Sequence, residues 1–109
     1  MYAARIIGTV VCTQKDPSMN SLKMQVVQPV NVVTFTDEGK PAVAIDAVGA
    51  GYSEIVLVVS GSSARLTELT QNKPTDATIM AIVDYVDIEG KNVFSKNAKQ
   101  PETKSKDKE

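Results

Sequence analysis

The sequence predicts an all-β fold: a small closed OB-like β-barrel in Greek-key order, with about five main strands, a short helical insert and a C-terminal hairpin. Three observations carry this expectation. Fifteen Val and seven Ile stand against only four Leu, a balance that suits pleated, half-buried surfaces better than helices. The apolar runs are short and are punctuated by Gly, Pro, Asp and Asn. The 109 residues suit one domain, and the OB-type Greek key is a common barrel at that length. Residues 1–96 are expected to form this domain and 97–109 a disordered polar tail.

The first strand is expected over Ala3 to Thr13, apolar on both faces in its middle, with Gly8 marking a bulge or a close backbone approach. A loop with Asp16-Pro17 and Asn20-Ser21 leads to a second strand over Lys23 to Val27. Pro29 to Thr36 reads as a further Val-rich strand, with Pro29 at an end or an edge, closed by the breakers Asp37-Glu38-Gly39-Lys40-Pro41. Val43 and Ile45 alternate with Ala42, Ala44 and Asp46, and Gly49-Ala50-Gly51 separates them from a β-branched run over Glu54 to Val59. Ser62 to Leu69 carries a Ser N-cap and Leu66 and Leu69 three apart, enough for two helical turns at most, which only packing can hold. Pro74 to Ala77 suggests one more turn. Thr78 to Ile88 is the longest β run, and Glu89-Gly90-Lys91-Asn92 folds it back on Val93 to Lys96. The tail beyond Lys96 is almost wholly polar and charged.

Composition excludes much chemistry. With no His and a single Cys, Cys/His zinc sites, a Ser-His-Asp triad and an intrachain disulfide are all ruled out. Cys12 is expected to be a small buried hydrophobe, with nothing basic beside it in sequence to activate it. Residues 1–96 hold 8 Lys and Arg against 10 Asp and Glu, with five dispersed aromatics. That is a poor basis for the basic, stacking groove that nucleic acid requires. No run approaches a bilayer span and no signal peptide opens the chain, so a soluble intracellular protein without membrane partners is expected.

The short motifs resolve into structural readings. Gly49-Ala50-Gly51 follows a strand, as a dinucleotide fingerprint should, but position 54 is Glu and the next segment is strand-like where a helix must begin. A tight turn or close backbone packing suffices, with Glu54 a solvated or interface carboxylate. Gly61-Ser62-Ser63-Ala64-Arg65 resembles part of a nucleophile elbow, yet Arg65 replaces the closing Gly and no imidazole base exists. Asp84, Asp87 and Glu89 offer oxygen ligands near one hairpin, but alternation sends Asp84 and Asp87 to opposite faces. No catalytic, cofactor or metal site is expected.

Taken in order and spacing, a longer set of landmarks is more specific: Gly8-Thr9-Val10-Val11, Thr13-Gln14-Lys15, Val43-Ala44-Ile45-Asp46, Val48-Gly49-Ala50-Gly51 with Glu54, Val56-Leu57, Gly61-Ser62-Ser63-Ala64-Arg65, Pro74-Thr75-Asp76-Ala77 and Ile82-Val83-Asp84. These resemble the vertex proteins of bacterial microcompartment shells, found in carboxysomes and in metabolosomes such as those for ethanolamine use. The resemblance covers nearly all of residues 2 to 96. Pro29 to Lys40 is longer and richer in Val than the family pattern, Ile55 stands where the family often has Trp, and the tail is additional.

The resemblance implies a β-barrel subunit that forms a ring, usually a homopentamer, and plugs the fivefold corners of a shell tiled by hexameric proteins. It would be structural, without cofactor or enzyme activity, and would sit in a shell in the cytoplasm. On that model Gly49, Ala50, Gly51, Ser62, Ser63 and Ala64 are small because backbones pack closely at a subunit boundary or the ring axis, where Glu54 also lies. Arg65 would anchor that boundary on Asp46, Glu54 or Asp76, or on exposed carbonyls. Two other classes stay open: an OB-type nucleic-acid or small-ligand binding module, and a small carboxylate-dependent enzyme.

Overall fold

The computed structural model describes residues 1–19, 22–68, 70–71 and 76–96. The expected features at Asn20-Ser21, Leu69, Pro74-Thr75 and the 97–109 tail lie outside the described residues.

Among the described residues there are seven strands: β1 (Tyr2–Val10), β2 (Met24–Pro29), β3 (Ala42–Asp46), β4 (Ile55–Ser60), β5 (Ala77–Ile82), β6 (Tyr85–Ile88) and β7 (Lys91–Ser95). The first five close a barrel in the order β1-β2-β3-β5-β4, with β4 returning to β1. Only β3 and β5 run parallel; the other pairs are antiparallel. β6 and β7 form a separate two-stranded sheet. The all-β, OB-like barrel that the branched residues predict is therefore present.

Small side chains make a barrel this narrow. Its interior cluster is Ala4, Ile6, Val27, Ala44, Ala50, Val56, Val58, Ala77 and Ile79, a mix of alanines and branched residues that suits the filling of a barrel of five closely curved strands. The Gly8 signal is realised as a bulge: β1 pairs Ile6 with Val27 and Gly8 with Val26, leaving Ile7 as the extra residue. Close approach is not the reason for this glycine, because a Cβ there would meet Val26 only at 3.8 Å.

A second cluster lies outside the barrel wall, where Ala3, Val30 and Ile55 are covered by Phe35, Leu57, Val83 and Phe94. Here two expectations change. Pro29 to Thr36 is not a strand: β2 ends at Pro29, and beyond it Val30 donates its N–H to the Ala3 carbonyl (3.0 Å) and forms an isolated bridge with Asp37. Asn31 competes with strand geometry locally. Its Oδ1 accepts the N–H groups of Val33 (2.8 Å) and Thr34 (3.2 Å), and its carbonyl accepts that of Phe35 at 2.7 Å. Phe35 takes φ 56°, which swings its ring under the hairpin. The long run from Thr78 to Ile88 is likewise two strands, because Val83 leaves the barrel after donating its N–H to the Ile55 carbonyl (2.8 Å) and packs into the second cluster.

The predicted hairpin closes at Glu89-Gly90, with Ile88 opposite Lys91. Both turn residues have positive φ (51° and 78°), as a two-residue type I′ turn demands. The helical insert is shorter than expected, a single 3-10 segment over Gly61–Arg65. Ser62 falls inside that segment and does not precede it, so it is not an N-cap, and Leu66 is 76% exposed. Cys12 is exposed, contrary to expectation. β1 ends at Val10 opposite Met24, which leaves Val11 and Cys12 beyond any strand that could cover them. In the following loop Asp16 accepts Ser18 N–H (2.9 Å) and Oγ–H (2.7 Å), starting the 3-10 turn Pro17–Met19. These bonds hold the Asp16 carboxyl below its usual range.

Candidate functional site

The glycine-rich loop between β3 and β4 closes one end of the barrel around a buried carboxylate. Asp46, the last residue of β3, is 5% exposed. Its Oδ1 accepts the N–H groups of Val48 (3.0 Å) and Gly49 (2.8 Å), and its Oδ2 accepts Ala50 N–H (2.9 Å). The loop continues to Gly51, whose N–H is accepted by Glu54 Oε1 at 2.5 Å. Four successive backbone donors are thus taken by two carboxylates of the same chain. A phosphate cradle needs such donors free and turned outward, so this loop is organised as a structural turn and not as an anion site.

The far side of the loop is clamped to β1. Ser53, at φ 70°, donates its N–H to the Ile6 carbonyl (2.9 Å), and Ile6 N–H returns to the Glu54 carbonyl (3.0 Å). Glu54 is half-buried, with Lys96 Nζ 3.8 Å from its Oε2 and 3.5 Å from Asp84 Oδ1. The end of β7 is thereby fastened to the same turn. Gly49 is needed for its φ of 77°, since a Cβ would meet nothing within 4 Å. Gly51 has no positive φ, and a Cβ there would lie 3.4 Å from Glu54 Oε1. Ala50 is buried in the barrel core. The small size of Gly49 and of Ala50 therefore has causes inside the subunit, whereas at Gly51 a methyl group would make only ordinary contact.

Sequence reasoning missed the floor of this site. Gln25, 2% exposed on β2, donates through Nε2 to the Ala50 carbonyl (2.9 Å) and to Asp46 Oδ2 (3.2 Å), while its Oε1 accepts the Thr9 hydroxyl (2.9 Å). The signal was available. Gln25 shares the inward face of β2 with Val27, and a polar residue on the apolar face of a period-2 strand demands partners.

The second predicted group lies elsewhere. Gly61 (φ 66°), Ser62, Ser63, Ala64 and Arg65 follow β4, whereas Gly49 to Glu54 precede it. Six residues of strand put roughly 20 Å between the two groups. Ala64 is fully buried and its carbonyl accepts the Thr78 hydroxyl; Gly61 N–H donates to the Asp76 carbonyl (2.8 Å). Ser62 and Arg65 are exposed. Among the described residues Arg65 makes no ion pair, and within one subunit Asp46 and Glu54 are engaged at the other end of β4. Tyr2, beside Asp76 at the Arg65 end, has its hydroxyl pushed above the usual range by burial first and by the Asp76 charge second.

Aromatic placement bears on the binding-module alternative. Phe35 and Phe94 stack on each other and Tyr2 is partly buried against the core. Only Tyr52 and Tyr85 stand largely exposed, one on the β3–β4 loop and the other on β6, which makes no stacking platform. Among the described residues no three carboxylate or thiol groups gather as a metal site. Asp87 instead accepts the Asn92 side-chain amide at 3.2 Å.

Comparison with known proteins adds four findings. Residues 1–84 match the family model described as ethanolamine utilisation protein EutN/carboxysome. The carboxysome shell vertex protein CcmL of Synechococcus elongatus is 43% identical over 101 residues, covering 88% of this chain and 96% of that protein. Among solved structures, CcmL of Gloeobacter violaceus superposes with a TM-score of 0.84 at 36% identity, covering 90% of this chain and all of the other. The pentameric microcompartment shell protein GrpN of Rhodospirillum rubrum superposes at 0.70 with 40% identity, covering 81% and 98%.

Proposed function

The chain belongs to the EutN/carboxysome family of microcompartment shell proteins, and from that membership we propose that it is a structural subunit, five copies of which form a ring capping a fivefold vertex of a microcompartment shell. The observation that carries this reading is the likeness, at 40% identity across nearly the whole of the other chain, to a shell protein described as pentameric. A flat hexagonal layer cannot close on itself, and a fivefold plug at each corner supplies the missing curvature. The work of such a protein is geometric, and its partners are further copies of itself and the hexameric shell proteins that tile the facets. It acts without a cofactor, in the shell, within the cytoplasm.

The barrel suits that role. A ring needs a heterologous contact, in which one patch of a subunit meets a different patch of the next. The Gly49–Glu54 and Gly61–Arg65 groups, held apart at the two ends of β4, are two such patches. Between copies they can meet although within one copy they cannot, so Arg65 of one subunit is free to pair with groups of its neighbour.

Native mass in solution over a dilution series tests the proposal. A species near ~58 kDa, five times the 11.7 kDa subunit, that persists on dilution and closes particles when mixed with a hexameric shell protein is the expected result. A persistent monomer overturns it.

A further inference from the structure

Gln25 occupies a position that an apolar side chain would fill. It points into the barrel one pair below Val27, is 2% exposed, and has both ends of its amide engaged, by Thr9 on one side and by Asp46 and the Ala50 carbonyl on the other. Burying an amide is unfavourable unless its bonds are made, and a fully made set adds only modest net stability over a well-packed Leu. What the amide does that Leu cannot do is hold one peptide in place. Ala50 is gripped from both directions: its N–H by Asp46 on β3 and its carbonyl by Gln25 on β2. The outer part of the same loop presents Val48 and the 77% exposed Tyr52, an apolar and an aromatic side chain of the kind that anchors contacts between chains.

We infer that Gln25 and Asp46 are a positioning pair for assembly: they lock the Val48 to Tyr52 loop into the one conformation that a neighbouring copy of this chain accepts. The inference rests on the proposed ring. Locking the loop in the free subunit removes an ordering cost that would otherwise fall due when subunits meet. Thr9, at the rim, orients the Gln25 amide so that its NH₂ group faces the loop.

Two variants of the full chain test this, Gln25→Leu and Thr9→Val, the second lying at the exposed rim and expected to fold whatever the first does. Two readouts are taken: the concentration at which the ring is half dissociated, by native mass, and amide hydrogen exchange at Val48, Gly49 and Ala50 in the dissociated subunit. For Gln25→Leu the half-dissociation concentration is expected to rise about tenfold, with faster exchange at those three amides and unchanged protection at Val27, Val56 and Val58. Thr9→Val is expected to move both readouts the same way by a smaller factor. A looser loop with an unchanged ring, a weaker ring with an unchanged loop, or no change in either readout overturns the inference. A wild-type chain that forms no ring overturns the ring reading itself, and is seen before any variant is compared.

Discussion

Phe35 stacks on Phe94 with ring centroids 5.0 Å apart and planes inclined by 24°. One ring comes from the loop after β2 and the other from β7, so this pair joins the Val-rich loop and the C-terminal hairpin to the outer wall of the barrel over Ala3, Val30 and Ile55. The Arg5 to Asp37 ion pair, 3.0 Å and largely exposed, ties the same loop to β1. An exposed pair of that kind adds little, so the loop is held chiefly by the rings together with buried Val30, whose N–H bonds to the Ala3 carbonyl at 3.0 Å.

Phe94→Ala is therefore expected to cost about 2 kcal/mol, from the loss of a half-buried ring and its stacked partner. Phe35→Ala should cost a similar amount, and the double variant less than the sum, since the two act through one contact. Urea denaturation of the three variants checks this. Full additivity would show that the rings act independently.

The two glycines that the sequence marks in β1 and in the β3–β4 loop should respond differently to a methyl group. Gly49 sits at φ 77° with open space around it, whereas Gly8 has no positive φ and a Cβ there makes ordinary contact with Val26. Gly49→Ala is expected to cost about 1 kcal/mol from left-handed backbone strain alone, and Gly8→Ala close to nothing. Thermal unfolding of both variants gives the comparison, and a larger loss at Gly8 would refute it.

The contrast also shows what was legible in the sequence. Period-2 alternation and the excess of Val and Ile identified the strands that line the barrel, because inward and outward positions there differ sharply in burial. The bulge at Gly8 and the Glu89-Gly90 turn were legible because glycine and turn chemistry act locally. Val32 and Val33 misled, since their β propensity is overruled by one side chain, Asn31, that folds the backbone onto itself. Cys12 misled because its exposure depended on β2 beginning only at Met24, opposite Val10, a matter of pairing between distant segments. At the candidate site, Asp46 and the glycines stood out, but the partner of Asp46 proved to be Gln25, 21 positions earlier, and no spacing rule links two residues that meet only when the barrel closes. Arg65 and the Gly49 to Glu54 group lie at opposite ends of β4 within one subunit, a separation that local motifs do not reveal.

Tyr2 sets a prediction for alkaline pH. Its hydroxyl, partly buried and near Asp76, holds its proton to higher pH in the folded chain than in the unfolded one. Above the ordinary tyrosine range, around pH 10, the unfolded state therefore binds fewer protons than the native state, and stability falls as pH rises until the native hydroxyl also ionises. Tyr2→Phe removes this contribution. The difference in unfolding free energy between wild type and Tyr2→Phe is expected to be flat below about pH 9 and to shift in favour of the variant above it. A difference that stays constant to pH 11 would show that the hydroxyl is not held in the fold.

Arg65 yields the prediction that bears most directly on assembly. It ends the 3-10 segment after β4, is exposed, and pairs with no carboxylate among the described residues. Removing it should leave the isolated subunit's unfolding free energy within about 0.5 kcal/mol of wild type, as for surface substitutions elsewhere. In the ring the guanidinium has a forked set of donors to offer a neighbour's carboxylate or carbonyls, a geometry that lysine cannot reproduce. Arg65→Ala and Arg65→Lys are both expected to raise the concentration at which the ring dissociates, the alanine variant by the larger factor, while circular dichroism and thermal unfolding of the subunit remain unchanged. If both variants dissociate at the wild-type concentration, Arg65 is not at the boundary between subunits. If instead the subunit itself is destabilised, its role is within the chain.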